Sequence, residues 1–210
     1  MSKFYAVKKG LQPGIYKTWD EAKQQVHQFK GAEYKSFKTQ KEADYYLQQN
    51  NVNNQQNFNQ YDLIIYTDGS CQNKKGGYGL VFIQNDNKLN NNIDKKINKK
   101  INKKIDIKTF YDKVPFDPCT NNIAELYAIK QALLLADKNQ TILLKSDSLY
   151  AINSVQGHYQ SVKNGELIKE CIDLVKQFKM TFEHVYAHQG EYYNEMVDQL
   201  AKLGVLKNDD

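Results

Sequence analysis

Two short apolar runs organise the chain. Leu63-Ile64-Ile65-Tyr66 leads to Asp68, and Ile142-Leu143-Leu144 leads to Asp147. Unbroken apolar runs of this length read as strands buried on both faces. If the two strands lie side by side and parallel, both aspartates leave the sheet edge at the same height. Glu125 falls in a helical pattern with Ile129, Ala132, Leu133 and Ala136, which puts it on the core-facing stripe. Asp198 shares a helical face with Ala201 and Val205. Carboxylates are costly to bury unless paired or bound to a cation. Four of them converging on one spot repel one another strongly, and a divalent cation removes that conflict.

The pattern divides the chain into two blocks. In residues 1–47, Phe4-Tyr5-Ala6-Val7 alternates, Pro13-Gly14 turns the chain, and Ile15-Tyr16 resumes the strand pattern. Thr18 with Glu21 forms a capping box for a helix that runs to about Phe29, where Gly31 stops it. A strand at residues 34–37 follows, and Thr39 with Glu42 caps a second helix through Leu47. The predicted order is ββαβα. Residues 48–60, QQNNVNNQQNFNQ, carry no charge and little that could form a core, so they read as a flexible linker. Residues 61–207 begin with the Asp68 strand, a glycine-rich hairpin at Gly76-Gly77-Tyr78-Gly79, a strand at 80–83 and a third at 105–111. The Glu125 helix, the Asp147 strand, helices at 149–155 and 166–178, a strand at 181–186 and a helix at 192–203 complete it. The expected fold class is α/β: a mixed five-stranded sheet with flanking helices, plus the small ββαβα unit.

A low-complexity insertion, about residues 86–104, separates the second and third strands. Ile93, Ile97, Ile101 and Ile105 recur every four residues between lysine pairs. That spacing suits one face of a helix or of a strand, and a solvated insertion with neither is a third reading.

Composition adds constraints. Hydrophobic residues make up 40%, enough for a core. No apolar run approaches the ~20 residues of a membrane span, and MSKFYAVKKG lacks an apolar signal core. No membrane association and no obligate protein partner are expected. Cys71, Cys119 and Cys171 are odd in number, far apart and without a CxxC pair, so they read as free thiols of a reducing, intracellular compartment, cytoplasm and nucleus being left undistinguished. His184 and His188 have an H-x₃-H spacing, but His184 lies in a strand pattern with no cysteine pair nearby, which argues against zinc. All 29 basic residues are lysine. Lysine meets phosphate as a point charge, whereas arginine supplies the fork that reads guanine edges, so nucleic-acid contact is expected to favour backbone over sequence. Residues 1–47 hold nine lysines against five acids, and residues 88–113 nine against three, while the whole chain carries only +5. The positive field therefore belongs to two segments attached to an acidic remainder.

YTDGSC, GGYGLVF, TNNIAELYAI, SDSLYAI, AHQGEYYNE and VDQLAK follow one another over nearly all of residues 61–204. In order and spacing they resemble type 1 ribonuclease H. The resemblance implies a ribonuclease H-like fold and cleavage of the RNA strand of RNA/DNA hybrids with two Mg²⁺ ions, Mn²⁺ being the alternative ion. It implies that Asp68, Glu125, Asp147 and Asp198 are the metal-binding set, with Asp68 between the ions. Such hard cations take oxygen ligands. It also implies a proton-transfer or product-release role for His188, and contacts from Ser70, Asn73, Asn121 and Asn122 to the minor groove and the 2′-hydroxyls. Asn121 would serve as a helix N-cap at the same time. The CQNKKGG loop is shorter than in many members, and SVQGHYQSVKNGELIKE lacks the basic helical handle of some bacterial ones.

Residues 3–47 resemble the hybrid-binding domain that precedes many ribonucleases H. By that resemblance Trp19 and Tyr34 pack on the DNA strand and Lys35 contacts phosphate or the RNA side. Trp19 keeps a second reading as a core aromatic. The expected function is thus a hybrid-specific endoribonuclease. The alternative is a catalytically inactive protein that binds hybrid or duplex RNA, and cleavage of a labelled hybrid with and without Mg²⁺ separates the two.

Overall fold

The computed structural model of the protein describes residues 3–48, 60–85, 105–159, 163–186 and 191–207. The linker expected at 48–60 lies, but for its two end residues, outside the described residues, as does the insertion at 86–104.

The amino-terminal unit follows the predicted order. β1 (Phe4–Lys9), β2 (Gly14–Tyr16) and β3 (Glu33–Phe37) form an antiparallel sheet in the order β2-β1-β3. α1 (Trp19–Val26) opens on the predicted capping box: the Glu21 amide donates to Thr18 Oγ1 at 3.3 Å, and the Thr18 amide donates to Glu21 Oε2 at 3.1 Å. Thr39 and Glu42 repeat the arrangement for α2 (Gln40–Gln48). α1 ends at Val26, short of the expected Phe29, because Gln28 takes a left-handed backbone with φ 61°. Ala6, Ala22 and Ala43 are fully buried and let both helices lie close to the sheet.

The second unit is a five-stranded sheet in the order β6-β5-β4-β7-β8. Its strands are β4 (Leu63–Gln72), β5 (Lys75–Asn85), β6 (Ile105–Val114), β7 (Thr141–Ser146) and β8 (Lys179–His184). β4, β5 and β6 meander antiparallel, and β7 runs parallel to both β4 and β8. α3 (Asn121–Leu135), α4 (Leu149–Val155) and α5 (Gly165–Val175) cover one face. Leu126, Ile129, Leu133, Val155 and Leu167 pack there against Leu63, Ile65, Leu80 and Leu144. α6 (Tyr192–Leu206) covers the other face through Met196, Val197 and Leu200 against Ile64, Tyr66, Val81 and Ile83. β8 starts and ends two residues before the expected 181–186, since its pairing with β7 begins at Thr141↔Lys179.

The glycines of the first hairpin do not form its turn, contrary to expectation. Asn73 (φ 51°) and Lys74 (φ 65°) turn the chain, a pair of positive φ values that suits the twist of a two-residue hairpin. Gly77 and Gly79 lie within β5, where α6 passes so closely that a Cβ on Gly77 would strike the backbone of Ala201 and Val205. Glycine is required there by helix–sheet approach rather than by turn geometry.

The two units touch. Phe29, 4% exposed, belongs to the same buried cluster as Ile64, Tyr66, Tyr193 and Met196, with Leu11 and Ala32 packed beside it. Gln12 Nε2 donates to the Thr109 carbonyl at 2.9 Å, and the Thr109 hydroxyl donates to the Leu11 carbonyl. Lys9 Nζ lies 2.7 Å from Glu195 Oε2. No helix among the described residues is long and apolar enough to cross a membrane.

Candidate active site

Parallel pairing of β4 and β7 sets Tyr66 opposite Lys145, and the same register continued by two residues sets Asp68 opposite Asp147. The two aspartates lie side by side as the apolar runs predict, but only Asp147 leaves the sheet: Asp68 stays within β4, paired with Gly79 of β5, and β4 runs on to Gln72. α3 supplies Glu125 from the side. A Cβ at Gly69 would collide with the backbone of Ala124 and Glu125, so the bare glycine allows α3 to bring Glu125 against Asp68. One oxygen from each of Asp68, Glu125 and Asp147 lies within 4.8 Å of the others.

The three acids perturb one another. Burial, then the charges of Asp147 and Asp198, pushes Asp68 up to about 7. Burial, then the charges of Asp68 and Asp147, holds Glu125 well above the ordinary carboxylate range. Asp147 is raised chiefly by burial, opposed by its own backbone amide and by the Asn194 side chain. A side-chain hydrogen bond joins Asp68 and Glu125, and the Gly69 amide donates to both. Glu125 Oε2 is buried with no hydrogen-bond partner among the described residues. An orphaned buried oxygen is costly. Clustered acids that hold protons this tightly, with an oxygen-only donor set and one free oxygen, fit a hard divalent cation.

The cleft around them measures about 320 Å³, and Ser70, Cys71, Asn121, Asn194, Glu195 and Asp198 line it beside the three acids. Asp198 stands on α6 at its rim, 2.6 Å from Lys202 Nζ one turn further along. Asn121 Oδ1 accepts from the Cys71 amide at 3.1 Å, tying the start of α3 to the end of β4. The N-cap of α3 is Thr120, not Asn121: the Thr120 hydroxyl accepts from the Ile123 amide at 3.3 Å. Asn122 follows on α3 as an exposed residue, and Asn73 sits in the β4–β5 turn; neither lines the cleft. His188 lies outside the described residues.

On the amino-terminal unit Trp19 is 39% exposed and Tyr34 48% exposed, so Trp19 is not a core residue. Their ring centroids lie 5.5 Å apart, and Tyr5 extends the row at 5.8 Å from Trp19. Lys35 is exposed on β3 and reaches over the Phe37 ring at 5.8 Å.

Four residues of the surroundings escaped sequence reasoning. His184 Nε2 donates to the Asp147 carbonyl at 3.1 Å. Asn194 reaches Asp147, and its i−4 spacing from Asp198 was the signal available. Glu195 completes the rim. Lys145, two residues before Asp147, is buried between Glu183 at 2.9 Å and Glu191 at 3.5 Å, and the Tyr66 hydroxyl also donates to Glu191, at 2.6 Å. No local pattern marks a buried lysine that depends on partners from other elements.

Fold and site together define an α/β enzyme whose acidic centre is suited to divalent cations. The chain belongs to the ribonuclease H family of hydrolases: residues 60–206 match the family described as RNase H, and residues 3–47 match the Ribonuclease H1 N-terminal domain. Ribonuclease H of Clostridium botulinum (strain Hall) is 32% identical over 158 residues, covering 66% of this chain and 92% of that one. Ribonuclease H of Schizosaccharomyces pombe is 25% identical over 278 residues and covers 96% of both chains. The solved structure of RNase H1 from Halobacterium salinarum NRC-1 is similar with a TM-score of 0.49 and 20% identity, over 68% of this chain and 96% of that one.

Proposed function

We propose that the protein is an endoribonuclease that hydrolyses the RNA strand of RNA/DNA hybrids, leaving 5′-phosphate and 3′-hydroxyl ends. The observation that carries this reading is the meeting of Asp68, Glu125 and Asp147 within 4.8 Å of one another, where β7 ends beside β4. Asp68, Glu125, Asp147 and Asp198 would hold two Mg²⁺ ions, with Mn²⁺ as the alternative. Bound there, the ions supply an activated water and stabilise the departing 3′ oxygen in an in-line displacement.

The chain's own residues prepare that reaction. Asp68, buried beside the other acids, would be the shared ligand. Asn194 and His184 steady Asp147, one through its side chain and one through its carbonyl. His188 is assigned to proton transfer or product departure. Water attacks phosphorus and the bond to the 3′ oxygen breaks, so the 3′ oxygen leaves with a proton and no covalent enzyme intermediate forms.

Recognition is assigned to two surfaces. Ser70 and Asn121, which line the cleft, and Asn73 and Asn122, which do not, are assigned to the 2′-hydroxyls, which both donate and accept. Trp19 and Tyr34 offer ring faces to the DNA strand and Lys35 offers charge to phosphate. The free thiols of Cys71, Cys119 and Cys171 support an intracellular compartment.

Incubation with an end-labelled hybrid, duplex RNA and duplex DNA, each with Mg²⁺ or chelator, tests the proposal. Cleavage confined to the RNA of the hybrid and abolished by chelator is expected. Tight hybrid binding with no cleavage under Mg²⁺ or Mn²⁺ would establish the inactive binding protein instead.

A further inference from the structure

The contact between the two units reaches the rim of the cleft. Lys9, at the end of β1, is only 8% exposed, and its ammonium meets Glu195 Oε2 at 2.7 Å while lying 5.8 Å from the centre of the Tyr192 ring. Glu195 stands in the first turn of α6, beside Asn194 and one turn before Asp198. Phe29 is buried in the cluster formed by Tyr193 and Met196 of the same helix. One apolar plug and one ion pair, buried on its lysine side, therefore grip the segment of α6 that carries the cleft's far wall. A buried ammonium left without its partner is strongly unfavourable, so the pair fixes geometry on both sides of the contact. Without Lys9, the Glu195 carboxylate would be one more negative charge beside an already crowded acidic cluster.

We infer that the amino-terminal unit is part of the frame of the active site, and that Lys9 is a positioning residue that holds Glu195 and the first turn of α6 at the rim. The unit then governs turnover as well as hybrid affinity. The turnover part of this inference rests on the nuclease reading given above, whereas the grip on α6 does not.

The test uses full-length K9M, E195Q and K9M/E195Q proteins. Hydrogen exchange reads the grip directly, because the Glu195 amide is bonded to the Glu191 carbonyl at 3.0 Å and the Ala32 amide to the Phe29 carbonyl at 3.2 Å. Both amides are expected to exchange faster in K9M, by about threefold or more. In hybrid cleavage, K9M is expected to lower kcat by about threefold or more with KM nearly unchanged, and the double variant to be no worse than the poorer single one. Unchanged exchange at Glu195 in K9M would overturn the grip. Faster exchange together with a loss confined to KM, or with fully additive kcat losses, would overturn the positioning role and leave the unit a binding module. If the parent protein cleaves nothing, the nuclease reading fails, and exchange still decides the grip.

Discussion

Asp68 and Glu125 are joined by a side-chain hydrogen bond, with the Gly69 amide donating to both. Asp68 lies within the central strand β4 and Glu125 on α3, so the bond ties the sheet to the helix. Two carboxyls can share a hydrogen bond only if one is protonated, and burial, with the charges of the neighbouring acids, favours that proton by raising both. A divalent cation in place of the shared proton would be held by both carboxylates.

Replacing Asp68 with Asn should reduce hybrid cleavage by about a hundredfold or more, since a shared ligand charge is lost. Hybrid affinity should persist, because lysine–phosphate contacts elsewhere supply most of it. Single-turnover cleavage and a filter-binding titration measure the two. A rate within about tenfold of the parent would refute the ligand assignment.

Without divalent cations, stability should fall as pH rises. Asp68 has an ordinary value of 3.8 and a folded value of about 7. Its contribution is complete below the lower value, where both states are protonated, and is lost as pH rises through the upper one, because the folded state holds a proton that the unfolded state has released. Thermal unfolding in chelator should therefore show Tm dropping between pH 4 and pH 7, with a shallower drop for D68N. Excess Mg²⁺ should restore the neutral-pH Tm of the parent. Identical pH profiles for parent and D68N would count against a strained acidic cluster.

Gly77→Ala should destabilise the protein by about 1–3 kcal/mol or more, because its Cβ meets α6 backbone and neither element can yield cheaply. Gly165→Ala, where no atom lies within 4 Å, should stay within about 0.5 kcal/mol of the parent. Urea unfolding of both variants gives the comparison, and equal effects would contradict the close β5–α6 approach.

Trp19→Ala should weaken hybrid binding roughly ten- to hundredfold, the worth of one lost base-stacking contact. Trp19 is 39% exposed, so the variant should keep a normal circular dichroism spectrum and a cooperative unfolding transition. An unfolded spectrum would return Trp19 to the core.

Replacing residues 86–104 by a short Asn-Gly turn should be tolerated, since the β5–β6 ladder already pairs Asn85 with Ile105. Loss of these lysines should flatten the dependence of log K on log salt by about two units and raise KM, leaving saturated turnover nearly intact. An unchanged salt slope would assign the binding charge to residues 1–47.

Features that depend on neighbours a few residues apart are legible in the chain. Both capping boxes, the two buried runs that lead to Asp68 and Asp147, and the helical stripe that carries Glu125 are local patterns, and local backbone physics is enough to realise them. Tertiary structure decided what depends on approach between distant segments. Gly77 reads in sequence as part of a glycine-rich hairpin, yet it and Gly69 are each dictated by a helix crossing a strand. Lys145 interrupts an apolar run and is buried all the same, because β8 and the start of α6 bring Glu183 and Glu191 to it. Lys9 and Glu195 lie at opposite ends of the chain, and no periodicity links them. Burial of a charge is settled by whatever partner the fold delivers, and that partner is invisible to any window of sequence.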